Sequence, residues 1–373
     1  MPARWLALWP LGIAAACGFD HSGQGGSPAD GGAASADSGG DGDAAGTAGF
    51  HKTVTVPALG GADLADFPLY LELDDVDLMA RSAADGSDIH FVGPGGHALD
   101  HEVQQWDPRT GHLEAWVRVT LLGGGDTVLA LRYGEPDPPA LPDPAAVWSS
   151  GFAAVWHLEG SPAGALADAL GDRPGTPSGG MNDADSVVGA LGRAIDLDGG
   201  DDMISFANPL AGATAHTISA WVRQEATGNN DALVVLGTGA CTEARWLHTR
   251  FDQGTVALGL YCDDWADSGV DVQDDGWKLV HWTYAAGTSR LYVDGVQVGD
   301  PFAHDGAADT QGAAGHIGNV PAADGFGANM GLNGAVDEVR IATEVRSPAW
   351  IAAEQANQST PASFYTLGPE EAL

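Results

Sequence analysis

The stretch Arg290-Leu291-Tyr292-Val293-Asp294-Gly295-Val296-Gln297-Val298 decides the fold class of this chain. Two apolar runs flank a two-residue Asp294-Gly295 step. Asp-Gly accepts the positive φ angles of a type I′ turn, whose twist matches that of two paired antiparallel strands. The segment predicts a β-hairpin, and the same pattern continues outward from it. Trp277 to Tyr284 (WKLVHWTY) is rich in the aromatic and β-branched residues that suit a pleated surface. Thr217 to Arg223 (TISAWVR) alternates apolar with polar, and Gly334 to Ile341 (GAVDEVRI) reads as a late strand. The 54 glycines punctuate turns and favour many short strands over long helices. A hydrophobic content of 44% is enough for a packed core.

The N-terminal half repeats the pattern on a smaller scale. In Phe67 to Leu73 (FPLYLEL), Phe67, Leu69, Leu71 and Leu73 share one face. Ile89 to Val92, Glu102 to Trp106, Glu114 to Val119 and Val128 to Tyr133 follow as short strands between the turn clusters GPGG, DPRTG and GGGD. This spacing predicts an antiparallel sandwich over residues 50–140. The proline-rich PDPPALPDP, Pro136 to Pro144, is a stiff spacer before a second module over residues 146–368. A length of 373 residues accommodates both modules.

Charge narrows the partners. The 51 acidic and 15 basic residues give a formal charge of -36. Such a surface repels phosphate backbones, so nucleic acid is not an expected partner. It suits divalent cations, or serves solubility alone.

Residues 1–17 read as an export signal. Arg4 precedes the apolar run Trp5 to Ala16, which is too short to cross a bilayer as a helix of about 20 residues. Its end, Ala14-Ala15-Ala16-Cys17-Gly18, resembles the lipobox of bacterial lipoproteins, with Ala14 where that motif usually has Leu. The resemblance implies lipidation at Cys17 and anchoring in a cell-envelope membrane; the alternative is a soluble secreted protein cut near the alanines. Residues 18–49 are almost all Gly, Ala, Ser and Asp, lack Lys and Arg, and form a flexible tether. The Asp-Gly steps at Asp41 to Asp43 lack the remaining ligand series of an EF-hand. With Cys17 lipidated, Cys241 and Cys262 remain to pair in an exported protein, or stand as two buried thiols.

Both modules resemble known families. Asp88-Ile89-His90-Phe91, His101-Glu102-Val103, Trp106, Ala115-Trp116-Val117 and Arg132-Tyr133-Gly134 resemble a bacterial domain of unknown function that commonly precedes LamG-like domains. In the second module the carrying segments begin with Val155-Trp156-His157-Leu158, Leu191 to Gly199 (LGRAIDLDG) and Ile218-Ser219-Ala220-Trp221-Val222. They continue through Leu291-Tyr292-Val293-Asp294-Gly295, Gly334 to Ile341 and Arg346 to Ile351. These resemble the LamG-like, concanavalin A-type jelly roll family. The expected fold is therefore all-β, a C-terminal concanavalin A-like jelly-roll sandwich with a smaller N-terminal β-sandwich module. The resemblance implies binding of a glycan or a surface protein, often with a calcium ion.

Catalytic patterns fail in informative ways. His101-Glu102-Val103-Gln104-Gln105 begins like HExxH, yet Gln105 replaces the second zinc ligand and the segment reads as a strand. No GxSxG elbow and no phosphate loop occurs. Glycosidases of the concanavalin type use paired carboxylates on one strand. Glu72 and Asp74 alternate but lack a third acid and lie in the first module. No catalytic residue is assigned, and a polysaccharide-active hydrolase or lyase is the enzyme alternative; a structural envelope protein is the third reading.

Two candidate sites remain. In GAVDEVRI, Asp337 alternates with Val339 and Ile341 and is expected on the apolar face, with Glu338 and Arg340 opposite. A carboxylate so placed needs a cation or donors. It is expected to ligate a structural calcium with Asp198, Asp201 and Asp202, or else to pair with Arg193 or accept backbone N–H bonds. The second is a ligand platform at Asp263, Asp264 and Trp265, in an expected loop, with Trp246 and Tyr261 nearby. An indole stacks on a sugar face while acids accept its hydroxyls. The alternative is that Trp246 and Tyr261 are core and Trp265 covers the disulfide.

Overall fold

The computed structural model describes residues 49–373, apart from 213, 227–230, 242, 250–253, 261, 274–275, 305–308, 322–325 and 327–329. Cys17, the apolar run before it and residues 18–48 of the tether lie outside the described residues.

The Asp-Gly hairpin forms as its sequence dictates. Thr288–Val293 pairs with Val296–Ala303, Val293 faces Val296, and Asp294 and Gly295 have φ values of 49° and 79°. Asp294 also accepts the Leu279 N–H at 3.1 Å and donates its own N–H to the Leu279 carbonyl, tying the hairpin to Lys278–Ala285. Glycine suits position 295, where the backbone is left-handed and a Cβ would press on the Gln355 Cβ at 3.0 Å.

From this hairpin an antiparallel sheet extends through Lys278–Ala285, His216–Ala226, Asn333–Ala342, Arg193–Asp198 and Ser186–Val188. Phe152–Trp156 completes its eight strands by pairing with the second half of Asn333–Ala342. A seven-stranded sheet lies against it, running from Asp263–Asp271 through Thr255–Leu260, Ala244–Thr249, Ala232–Gly237, Ala314–Ile317 and Met203–Ala207 to Thr176–Ser178. Residues of both layers, among them Trp156, Ile218, Leu233, Leu258 and Trp282, form one buried apolar cluster. This is the all-β sandwich expected of the second module.

The late strand departs from simple alternation. Val336, Val339 and Ile341 all point into this core, a spacing of three and then two. The extra residue is a β-bulge: Trp221 pairs with Asp337 but Ser219 pairs with Arg340, and Glu338 sits at φ 50°. A non-glycine residue there is costly and persists only where its surroundings hold it. The bulge corrects the expected facing. Asp337 follows inward-facing Val336 and turns to the opposite face, the one that carries Arg340.

The first module also has two antiparallel layers. One holds Phe50–Val56, Thr127–Tyr133 and His90–Val92; the other holds Leu64–Asp74, His112–Leu121 and His101–Asp107. Phe67, Leu69, Leu71 and Leu73 fill its core on one face, as the alternation predicts. Tyr70, between them on the other face, is buried as well, its ring 4.7 Å from that of Trp116.

The chain does not end in the second module. The helix Pro348–Ser359 begins at Ser347, whose side chain accepts the Trp350 N–H, and Trp350 packs 5.0 Å from Phe67. Asn357, wholly buried, accepts the Tyr70 N–H at 2.8 Å and donates to the Tyr70 carbonyl at 2.9 Å. Thr366–Leu367 and Glu371–Ala372 then pair with Phe50–Val56. Residues of the expected 146–368 module thus complete the sheet of the first, and residues 46–373 form one compact unit.

Candidate functional site

The two modules meet on the outer face of the eight-stranded sheet. Glu338 and Arg340 alternate with inward-facing Val339 and Ile341, and on that outer face they lie under the first module rather than in water. Arg340 donates to Glu338 Oε2 at 2.6 Å and to Glu354 Oε1 at 2.7 Å, while its guanidinium lies 4.4 Å above the Trp116 ring. His157 reaches Glu338 Oε1 through Nδ1 at 2.7 Å and Glu102 Oε2 through Nε2 at 3.4 Å. His281 Nε2 contacts Glu354 Oε2 at 2.8 Å. The Trp148 indole donates to Glu102 at 2.7 Å, and the Trp116 indole donates to Gln104, which donates in turn to Glu159. Glu102, Gln104 and Trp116 come from the first module, and the others from residues beyond its C-terminal boundary.

This seam is a closed electrostatic unit. Burial opposes charge on His157, but the Glu338 charge and hydrogen bonds to Glu102 and Glu338 raise it to about 10. Burial alone would raise Glu354, yet the His281 hydrogen bond and the charges of His281, Arg340 and Arg346 bring it down to about 2. Glu338 faces the same burial and is held below its usual value by His157 and Arg340. Paired in this way, buried charges satisfy one another instead of requiring water. Chemically, the paired charges of Glu338, Arg340, Glu354, His157 and His281 clamp two surfaces. The cluster's signal in the sequence was the Glu338–Arg340 alternation, which reads as a solvated face unless a second layer covers it.

The expected calcium set separates. Asp337 is fully buried, and its Oδ2 accepts the Leu191 N–H at 3.0 Å. Burial, and then the neighbouring Glu338 charge, push it well above the ordinary carboxylate range. Arg193 instead bonds Ser186. Asp337 therefore follows the backbone-donor alternative and is not one of the clustered acids. Asp198, Asp201 and Asp202 do come together, with one oxygen from each within 4.8 Å of the others. Asp202 also accepts the Asp198 N–H, and Asp198 accepts the Gly200 N–H, in a tight turn.

Cys241 and Cys262 form a disulfide. The segment after Cys262, expected as a loop, is the strand Asp263–Asp271, with Gly259 opposite Trp265 and Leu260 opposite Asp263. It forms the edge of the seven-stranded sheet. The side chains of Asp263, Asp264 and Trp265, and Tyr261 as a whole, lie outside the described residues. Trp246 is buried, its ring 5.1 Å from that of Phe326, in a cluster with Val235, Val320 and Met330. It takes the packing role rather than that of an exposed platform, because Val320, Phe326 and Met330 pack in the same cluster.

Comparison with known proteins bears on the same regions. Domain 4 of an extracellular arabinanase from Geobacillus stearothermophilus, solved in complex with arabinotriose, is 18% identical over 55% of this chain and 98% of its own, with a TM-score of 0.43. The binding domain of Paraclostridial Mosquitocidal Protein 1 is 12% identical over 55% of this chain, with a TM-score of 0.42. A Trypanosoma rangeli sialidase is 13% identical over 67% of this chain, with a TM-score of 0.41. The match spans 51% of the mosquitocidal domain and 42% of the sialidase. No curated protein matches the chain. Residues 85–158 match the family model of a domain of unknown function, DUF2341, and residues 198–352 carry a domain of the concanavalin A-like lectin/glucanases superfamily.

Proposed function

We propose that this chain is an exported, lipid-anchored surface protein that binds a glycan or a protein ligand through its concanavalin A-like domain, without catalysing a reaction. One observation carries this reading: Glu338, on the outer face of the eight-stranded sheet, and Glu354, on the helix Pro348–Ser359 that covers it, are consumed in ion pairs beside the first module. Acid–base hydrolysis of a glycoside needs two carboxylates flanking a cleavable bond, one of them free to exchange a proton. With that face covered, recognition falls to the other layer, whose edge strand Asp263–Asp271 begins beside the disulfide. Asp263, Asp264 and Trp265 supply acids and an indole there. A structural calcium ion on Asp198, Asp201 and Asp202 would brace the turn after Arg193–Asp198.

A glycan array probed with the full chain, with and without calcium, tests the binding claim. A specific signal lost in Trp265→Ala is expected; silence in both conditions removes the glycan ligand. Mass spectrometry of the mature N-terminus tests export and anchoring, with a diacylated Cys17 expected. An intact leader or an unmodified Cys17 removes the anchor.

The rival enzyme reading draws on Glu159. Burial pushes its carboxyl up to about 7, where a general acid works, although the Arg193 N–H and Gln104 donate to it. Release of reducing sugar from a polysaccharide panel, abolished in Glu159→Gln, would establish that rival.

A further inference from the structure

We propose a second ligand site, on the first module, that takes a neutral polyhydroxylated molecule of the saccharide class. The proposal goes beyond the reading above, which places recognition in the second module. The site is a cleft of about 630 Å³ between the loop 93–100 and the strands His112–Leu121 and Thr127–Tyr133. That volume lies within the range of small-molecule sites, about 300–1,000 Å³.

Its polar groups are arranged rather than scattered. Arg118 pairs with Asp100 and donates to the Ser149 hydroxyl at 3.1 Å, so the guanidinium and the carboxylate stand side by side. Each keeps about 30% of its side chain exposed (28% and 31%). A hydroxyl group both donates and accepts, so two adjacent hydroxyls satisfy such a pair, one donating to Asp100 and the other accepting from Arg118. His97 adds a third point. Its Nδ1–H donates to the Pro94 carbonyl at 2.9 Å, which leaves Nε2 as an acceptor. The Cε1–Nε2 edge of the ring lies over Gly93, where a Cβ would come within 2.5 Å of it. The Gly93 N–H donates to the His97 carbonyl and closes the loop. Leu99, Val119 and Leu129 line the cleft and present an apolar surface to the C–H face of a ring.

Charge selects among such ligands. Three carboxylates line the cleft, Asp66, Asp100 and Asp126, against the single guanidinium of Arg118, in a chain of formal charge -36. Asp66 accepts from the Ser150 hydroxyl and Asp126 from the Ala58 N–H, so both are anchored by donors that carry no charge. A uronate, sialate or phosphate would enter against this field.

Saturation-transfer NMR on the full chain tests the assignment with glucose, galactose, mannose, N-acetylglucosamine and their disaccharides, alongside glucuronate and galacturonate. Transfer to at least one neutral sugar is expected. Its affinity should fall at least tenfold in Arg118→Met and in His97→Ala, and the matching uronate should bind at least tenfold more weakly. If Arg118→Met lowers the melting midpoint, His97→Ala decides, since its side chain is exposed and bonds only within its own loop. No transfer to any member of the panel, transfer that survives the variants, or uronates that bind as well as neutral sugars would each overturn the proposal. A glycan-array signal lost in Trp265→Ala but kept in Arg118→Met belongs to the second module, so the two sites fail separately.

Discussion

Arg340→Met tests whether the charge seam holds the two modules together. Methionine keeps much of the aliphatic bulk against Trp116 and Trp148 but removes both ion pairs. Glu338 then keeps His157, and Glu354 keeps His281 and the uncharged Gln358 amide. Removing one member of a buried pair costs about 3–5 kcal/mol, because the remaining charge stays out of water. Residues 46–373 form the cooperative unit, with an unfolding entropy near 0.7 kcal/mol/K, so the melting midpoint should fall by about 4–7 °C. Differential scanning calorimetry reads this directly. The pH dependence sharpens the test. Glu354 is depressed from 4.5 to about 2, so its contribution is present above pH 4.5 and is lost as pH falls toward 2. His157 is raised from 6.5 to about 10, so its contribution is full below pH 6.5 and is lost as pH rises toward 10. The stability contributed by these two groups should therefore be greatest between about pH 4.5 and 6.5. In Arg340→Met the acid limb should move to higher pH, because both carboxylates lose a cation. A variant that melts within 1 °C of the parent, with an unshifted acid limb, would refute the reasoning.

Three further outcomes follow from the same packing. Asn357→Ala leaves the Tyr70 N–H and carbonyl unpaired in the interior and should cost about 2–4 kcal/mol in urea unfolding; a loss below about 1 kcal/mol would mean the helix does not dock as described. Reducing the Cys241–Cys262 bond, which spans 21 residues, should cost about 3 kcal/mol, seen as a lower calorimetric midpoint with reductant; no shift would show that it stabilises nothing. Deleting residues 366–373 strips two strands from Phe50–Val56 and should speed hydrogen exchange of its amides; unchanged protection there would contradict the pairing.

Local patterns in the chain carried the strands but not how they stack. Asp294-Gly295 marked its hairpin because the turn's φ angles depend on those two residues alone. Phe67, Leu69, Leu71 and Leu73 marked their face because a strand alternates every residue. Tyr70, on the other face of that strand, is buried against Trp116 and second-module residues such as Trp148 and Trp221, which are far away in sequence. The trio Asp198, Asp201 and Asp202 was legible because a tight turn gathers neighbours in sequence. Trp246 was not, since the residues that bury it lie in a distant segment.

The amino-acid order by itself determined the all-β class and the most local turns, since these depend on contacts within a few residues, while the two-layer second module followed from its resemblance to a known family. Tertiary structure alone decided the facing of Asp337. One extra residue in the strand reverses the alternation, and nothing in GAVDEVRI announces the bulge until a partner strand sets the register. It also decided that the charges of Glu338 and Arg340 are buried. The energy of a carboxylate depends on whether water or a second protein surface lies above it, and the covering surface comes from residues far away in sequence.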